Sequence, residues 1–181
     1  MIAFVAAVVV AIVTTAGEID VRVDAVHAPK TAANFLSYVR RGFFDGGSFF
    51  RTVTTHPDNQ PQNHAKIDVI QATHNTKAHP HVDAPVTFES TRQTGLRHRD
   101  GTVSMARDAE LNTAQTDFFI CIGDQPTLDD GGARSKDHRG FAAFGQVVRG
   151  MDVVRKIHAA PQAAQQLTPP FTIQRIRVIG S

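Results

Sequence analysis

At 181 residues, with 41% hydrophobic and 20% charged residues, the chain has the size and balance of one globular domain with a real core. Lys plus Arg number 19 against 17 Asp plus Glu, and no basic stripe with interleaved aromatics runs along the sequence, which argues against nucleic acid as a partner. Cys121 is the single cysteine, so an internal disulfide is excluded and a cysteine-based zinc site has no support. Its place in the apolar run of residues 118–122 reads as a buried, inert thiol.

Residues 2–13 are an unbroken apolar run, too short to span a bilayer as a helix. The first basic residue is Arg22, so the run lacks the positive start of a signal peptide. Its β-branched second half, residues 8–15, enters a turn at Gly17 and reads as a strand, with residues 1–7 as a targeting remnant or a disordered start. Residues 18–23 alternate polar and apolar and complete a hairpin. Pro29 then opens a helix whose stripe is Ala32, Phe35, Leu36 and Val39, with Arg40 and Arg41 in the last turn and Gly42 as its stop. After the Gly46-Gly47 turn, residues 48–53 form a third strand and residues 54–66 a polar loop. Strands are expected at 67–71, 101–106, 118–122, 142–148 and 171–179, with long loops at 72–100 and 123–140. A second helix starts near Gly150 and carries Met151, Val154 and Ile157 on one side. No internal repeat is present. About eight strands with two dispersed helices argue against a parallel βαβ sheet and for a mainly β chain closed into a barrel, its open ends covered by the helices.

The ordered segments Asn34-Phe35, Gly42-Phe43-Phe44-Asp45, Ser48-Phe49-Phe50-Arg51, Val69-Ile70-Gln71, Gly101-Thr102-Val103-Ser104-Met105-Ala106-Arg107, Phe118-Phe119-Ile120, Leu128-Asp129 and the stretch from Phe144 to Val154 resemble the cyclophilin family, in particular its bacterial branch. The resemblance runs from about residue 8 to 179. It implies a closed eight-stranded antiparallel β-barrel capped by two α-helices. It also implies peptidyl-prolyl cis-trans isomerisation without metal or cofactor, acting on proline-containing peptides and folding proteins.

That reaction breaks no covalent bond. Its barrier is amide resonance, about 18–20 kcal/mol, so a catalyst must bind the twisted amide better than the planar one. On residue type alone, Arg51 would be a surface arginine in a salt bridge, and Phe118 and Phe119 would both be core. The resemblance instead makes Arg51 the catalytic donor, Gln71 the residue that orients it and contacts the peptide, and Phe119 the floor of a proline pocket. Val69, Leu128 and Phe141 join that pocket, Phe141 standing where histidine is usual. Ala106 and Arg107 fall in the segment whose backbone bonds the substrate chain.

Several residues depart from the family pattern. Asp117 replaces a glutamine, cannot donate when ionised, and is expected to pair with Arg51 or Arg107. Asp68 replaces a pocket phenylalanine, an expected loss of apolar area worth on the order of 1–2 kcal/mol. Thr127 replaces the tryptophan of many eukaryotic members, which implies weak or no cyclosporin binding. Phe50 replaces a histidine, and Ala72-Thr73 a paired glycine. The family default is a monomer with no membrane or nucleic-acid partner. Cytoplasmic placement is favoured, or periplasmic if the N-terminal run is a signal remnant.

Other readings compete. A non-catalytic module of the same fold would grip proline segments as a chaperone. His56, His64, His74, His79 and His81 crowd one region and suit Zn, Ni or Cu, although nothing in their spacing sets a geometry and solvated loop histidines are the better reading. A serine hydrolase lacks its G-x-S-x-G elbow.

Overall fold

The computed structural model describes residues 7–180, so the expectation of a targeting remnant or disordered start over residues 1–7 lies, for all but residue 7, outside the described residues. The elements in order are β1 (Val8–Thr14), β2 (Gly17–Val23), α1 (Pro29–Arg40), β3 (Ser48–Val53), β4 (Val69–Thr73), α2 (Thr91–Thr94), β5 (Thr102–Met105), β6 (Phe118–Cys121), β7 (Ala142–Arg149), α3 (Met151–His158), β8 (Gln162–Ala163) and β9 (Gln166–Gly180). Every pairing is antiparallel. The strand order β1-β2-β7-β5-β6-β4-β3-β9 closes because β9 also pairs with β1, so eight strands make a barrel and β8 is a short hairpin arm of β9. Closure leaves no long unpaired edge to template aggregation.

The eight-stranded barrel and its two main helices agree with the sequence reading. Two features differ. The stretch 72–100 contains the one-turn helix α2, held by a capping box in which Ser90 and Gln93 bond each other's backbone N–H. The last strand begins at Gln166 rather than 171, preceded by a two-residue turn in which Ala164 (φ 48°) and Gln165 (φ 71°) are both left-handed. Neither is the Gly or Asn that such a turn normally demands, so the local sequence gives no hairpin signal.

The barrel is filled by residues of alternating register and by Phe35 from α1. Phe35 packs its ring against Phe44, Phe118 and Phe144 at centroid distances of 5.5, 5.5 and 5.0 Å. Val154 and Ile157 of α3 enter the same core. A second, smaller cluster lies on the other face of the strands and contains Val53, Ile67, Val69, Phe119, Cys121 and Leu128. Phe118 and Phe119 therefore divide between the two clusters, as strand alternation requires. Burial pushes the Cys121 thiol pKa up, which leaves it inert.

β3 carries a bulge. Phe49 pairs with Ala72 and Arg51 pairs with Gln71, leaving Phe50 without a partner on β4. In an unbroken strand Arg51 would share the face of Phe49, which is fully buried in the barrel. The extra residue turns Arg51 to the outside.

Phe118 touches three aromatic rings and is fully buried. Phe118→Ala is expected to lower unfolding free energy by about 3–5 kcal/mol, read by urea titration with an unchanged slope. A loss under 1 kcal/mol would contradict this account of the core.

Candidate active site

Pairing registers place four residues in one row across four strands: Arg51 on β3, Gln71 on β4, Phe119 on β6 and Ser104 on β5. The row lies on the outer face, where Arg51, Val69, Gln71, Phe119, Leu128 and Phe141 line a groove of about 300 Å3, bordered also by Ile67, Ala106 and Arg107. All nine residues singled out for the site in the sequence lie in or beside this groove. Asp117 lines an adjoining cavity of about 380 Å3 that shares Gln71, Ala106, Arg107 and Asp108 with the groove.

The Arg51 guanidinium is held by neutral acceptors. Nη1 donates to Gln71 Oε1 at 2.8 Å, while Nε and Nη2 donate to Gln165 Oε1 at 2.9 and 2.6 Å. Five N–H groups are available, so three anchor the side chain and two remain free. Burial lowers the Arg51 pKa, and among the described residues no carboxylate pairs with it. Gln165 sits in the left-handed turn between β8 and β9. A left-handed L-residue costs roughly 1–2 kcal/mol, and the surrounding hairpin holds it there. Sequence reasoning missed Gln165, because Ala-Ala-Gln-Gln carries no turn or site signature.

Asp117 does not pair with Arg51 or Arg107 as expected. Its Oδ2 accepts a long hydrogen bond, 3.4 Å, from Gln71 Nε2. The donor end of the Gln71 amide thus faces the carboxylate and the acceptor end faces the guanidinium, so Asp117 acts on Arg51 through Gln71. Asp68 also departs from expectation. Its carboxylate turns away from the groove, accepting from Thr55 N and Oγ1 at 2.9 and 2.8 Å and lying 3.4 Å from His158 Nε2. Buried Ile67 supplies apolar surface at the groove instead, so the expected loss of area is offset.

Arg107 does more with its side chain than a backbone role requires. Nη2 bonds both oxygens of Asp137 at 2.8 and 2.9 Å, and Nε bonds Gly140 O at 2.9 Å. The guanidinium also lies 5.3 Å from the Phe141 ring centroid. Burial opposes ionisation of Asp137, but the Arg139 N–H and the Arg107 guanidinium prevail and lower its pKa to about 2. Gly140 must be glycine, since a Cβ there would fall 2.3 Å from Leu128 O. These contacts set Phe141, whose ring stands edge-on to Phe119 at 5.6 Å.

Beneath Phe119 lies a buried chain of hydrogen bonds that the sequence did not reveal. Asp129 Oδ1 meets His98 Nδ1 at 2.8 Å, His98 Nε2 meets Ser104 Oγ at 2.9 Å, and the His98 ring stacks on Phe119 at 6.0 Å. The order matches a hydrolytic triad, but Ser104 is fully buried and no substrate carbonyl can reach it. Through His98 it backs the Phe119 ring from the inner side. The five clustered histidines do not converge. His79 stacks on Phe43, and His74 bonds Thr116 and the His79 carbonyl. Among the described residues no three His, Cys, Asp or Glu groups are placed to hold a metal.

A closed antiparallel barrel with an arginine beside an aromatic-floored groove on its wall defines the class, and the comparisons assign it. Residues 9–178 match the family described as cyclophilin type peptidyl-prolyl cis-trans isomerase/CLD, and the chain belongs to that family. It is 37% identical to peptidyl-prolyl cis-trans isomerase A of Dickeya dadantii over 149 residues, covering 82% of this chain and 70% of that protein. It is 30% identical to a peptidyl-prolyl cis-trans isomerase of Acinetobacter baylyi, covering 92% and 80%. In structure it is similar to a Cryptosporidium parvum cyclophilin (TM-score 0.74, 18% identity, 97% and 99% covered). That protein's structure in the presence of the dipeptide Ala-Pro gives a TM-score of 0.72 at 18% identity, with 96% and 99% covered. By family the chain is an enzyme of the peptidyl-prolyl cis-trans isomerase class.

Burial acts to raise the Asp129 pKa, but the hydrogen bonds from the His98 ring and backbone N–H outweigh it, and the pKa is lowered. A lowered carboxyl pKa stabilises the fold above the ordinary carboxylate value of about 3.9 and loses that contribution as pH falls toward the folded value. Thermal unfolding of the protein and of Asp129→Asn should therefore differ at pH 7 and converge as the solution is acidified below about pH 4. A gap independent of pH would show that ionisation of Asp129 contributes nothing.

Proposed function

We propose that the groove catalyses X–Pro isomerisation by arginine-assisted twisting of the amide. The observation that carries the reading is a fixed guanidinium with two free N–H groups beside an apolar hollow, clamped by two neutral amides and no carboxylate. The proline ring of the substrate rests on Phe119, between Val69, Leu128 and Phe141. Rotation about the C–N bond breaks resonance and localises a lone pair on the prolyl nitrogen. An Arg51 N–H donates to that lone pair, which is a good acceptor only in the twisted state, so the bond lowers the barrier without stabilising the planar ground state equally. Because the anchors of Arg51 are preorganised, little reorganisation accompanies the step.

The substrate chain extends toward the adjoining cavity past Ala106. The Ala106 N–H already donates to Asp117 O at 2.9 Å, so its carbonyl is the backbone group offered to the peptide. Proline-containing peptides and folding proteins are the substrates this geometry accepts.

Arg51→Ala is expected to lower kcat/KM for a proline tetrapeptide by about 100-fold or more, the usual effect of removing a preorganised donor. Circular dichroism would verify that the variant is folded. Equal turnover by the two proteins would remove Arg51 from the mechanism, and peptide binding without any rate effect in the natural chain would point to a non-catalytic module. Gln165→Ala removes two of the three anchors on Arg51 and should lower kcat about tenfold with KM little changed, since misorientation acts on the transition state. An unaltered kcat would show that Gln71 alone suffices.

A further inference from the structure

Arg134 enters the groove from the loop that precedes β7, beside Arg51 and Ile67. Its Nη1 makes both hydrogen bonds of the side chain, donating to Gln60 Oε1 at 2.8 Å and to Ala65 O at 3.0 Å. Both acceptors are neutral. Nε and Nη2 bond no protein acceptor among the described residues and are not sealed from solvent. No carboxylate pairs with Arg134, just as none pairs with Arg51. Of the other charges that line the groove, Arg107 is matched by Asp137, and Asp108 forms an ion pair with neither Arg51 nor Arg134.

Two half-buried guanidiniums that face one hollow with no carboxylate in ion-pair contact are an unusual arrangement, because burying an unpaired charge is costly and like charges add to that cost. Burial lowers the Arg134 pKa, and the charge of Arg51 lowers it further. A bound anion would relieve both terms. Anchoring the 54–66 loop does not by itself call for a cation here, because Gln60 and Ala65 offer only neutral oxygens. The adjoining cavity is lined by Asp117 and lacks Arg51 and Arg134, while Asp108 and Arg107 stand on the border the two share.

We propose that Arg134 is a specificity residue that makes this isomerase prefer proline peptides with a carboxylate within one or two residues of the proline, on the side that points away from the Asp117 cavity. The fork of Nε and Nη2 suits a carboxylate, and a side chain or a chain terminus could supply it. This rests on the isomerase reading of the same groove and adds the substrate's charge to it.

The test pairs proline peptides that differ only by Glu against Gln, in one series at the residue before the proline and in another at the one or two residues after it. A further peptide places a free C-terminus one residue after the proline, against its amide. Turnover and calorimetric affinity are measured for the natural chain, Arg134→Gln and Arg134→Lys at low and at physiological salt. At one of the positions the natural chain should favour Glu about fivefold, a preference that shrinks with salt, is lost in Arg134→Gln and is partly kept in Arg134→Lys. A gain limited to the free C-terminus would assign the carboxylate to a chain end rather than a side chain. Equal values for every acid and neutral pair, or a preference that survives in Arg134→Gln, would overturn the proposal. If no peptide is turned over, the isomerase reading fails, and the affinities still decide whether Arg134 selects a carboxylate.

Discussion

Phe50 faces no residue of β4, and the position it adds to β3 sends the Arg51 guanidinium outward while Phe49 stays in the barrel. Everything at the site depends on that displacement. With Arg51 directed outward, cross-strand register aligns it with Gln71 and then with Phe119, so guanidinium, amide and aromatic ring fall in one line across the wall. A closed barrel makes such a line rigid, since every strand in it is hydrogen-bonded on both sides. A bulge beside a functional residue is a common way to re-aim a side chain within a regular sheet.

The second constraint is electrostatic. A carboxylate partner would hold Arg51 more tightly, but it would also occupy the N–H groups that the proposed donation to a twisted amide requires. Gln71 and Gln165 fix the orientation and leave the charge unspent. Asp117 is kept one residue away and acts by setting the direction of the Gln71 amide. Its departure from the family's glutamine is thus compatible with a free guanidinium. Gln60 plays the matching part on the other side. Fully buried, it bonds the carbonyls of Thr54 and Ile67 and receives Arg134, and so ties the long polar loop to the groove.

Support for the hollow comes from below and behind. The Asp129–His98–Ser104 chain satisfies a buried imidazole completely and backs Phe119 with a flat ring. Arg107 and Asp137 fasten the loop that carries Phe141. Each device rests on a carboxylate whose pKa its hydrogen-bond partners lower, so strong acid weakens both supports.

The amino-acid sequence by itself determined the elements whose signal is local. Period-two alternation marked the strands and set the rings of Phe118 and Phe119 on opposite faces, and the 3.6-residue stripe marked α1 and α3. Family resemblance then singled out Arg51, Gln71 and Phe119. The capping box at Ser90 went unread, because a single turn is too short to stand out within a polar stretch. Tertiary structure alone decided the rest. Gln165 lies 114 residues from the Arg51 it clamps, and Arg134 lies 74 from the Gln60 that anchors it. The bulge at Phe50, the turning away of Asp68 and the left-handed turn at Ala164 and Gln165 break local rules that any reading of pattern must assume. Local patterns report only the free energy of neighbouring residues, whereas these features are held in place by strands and loops that meet only once the barrel has closed.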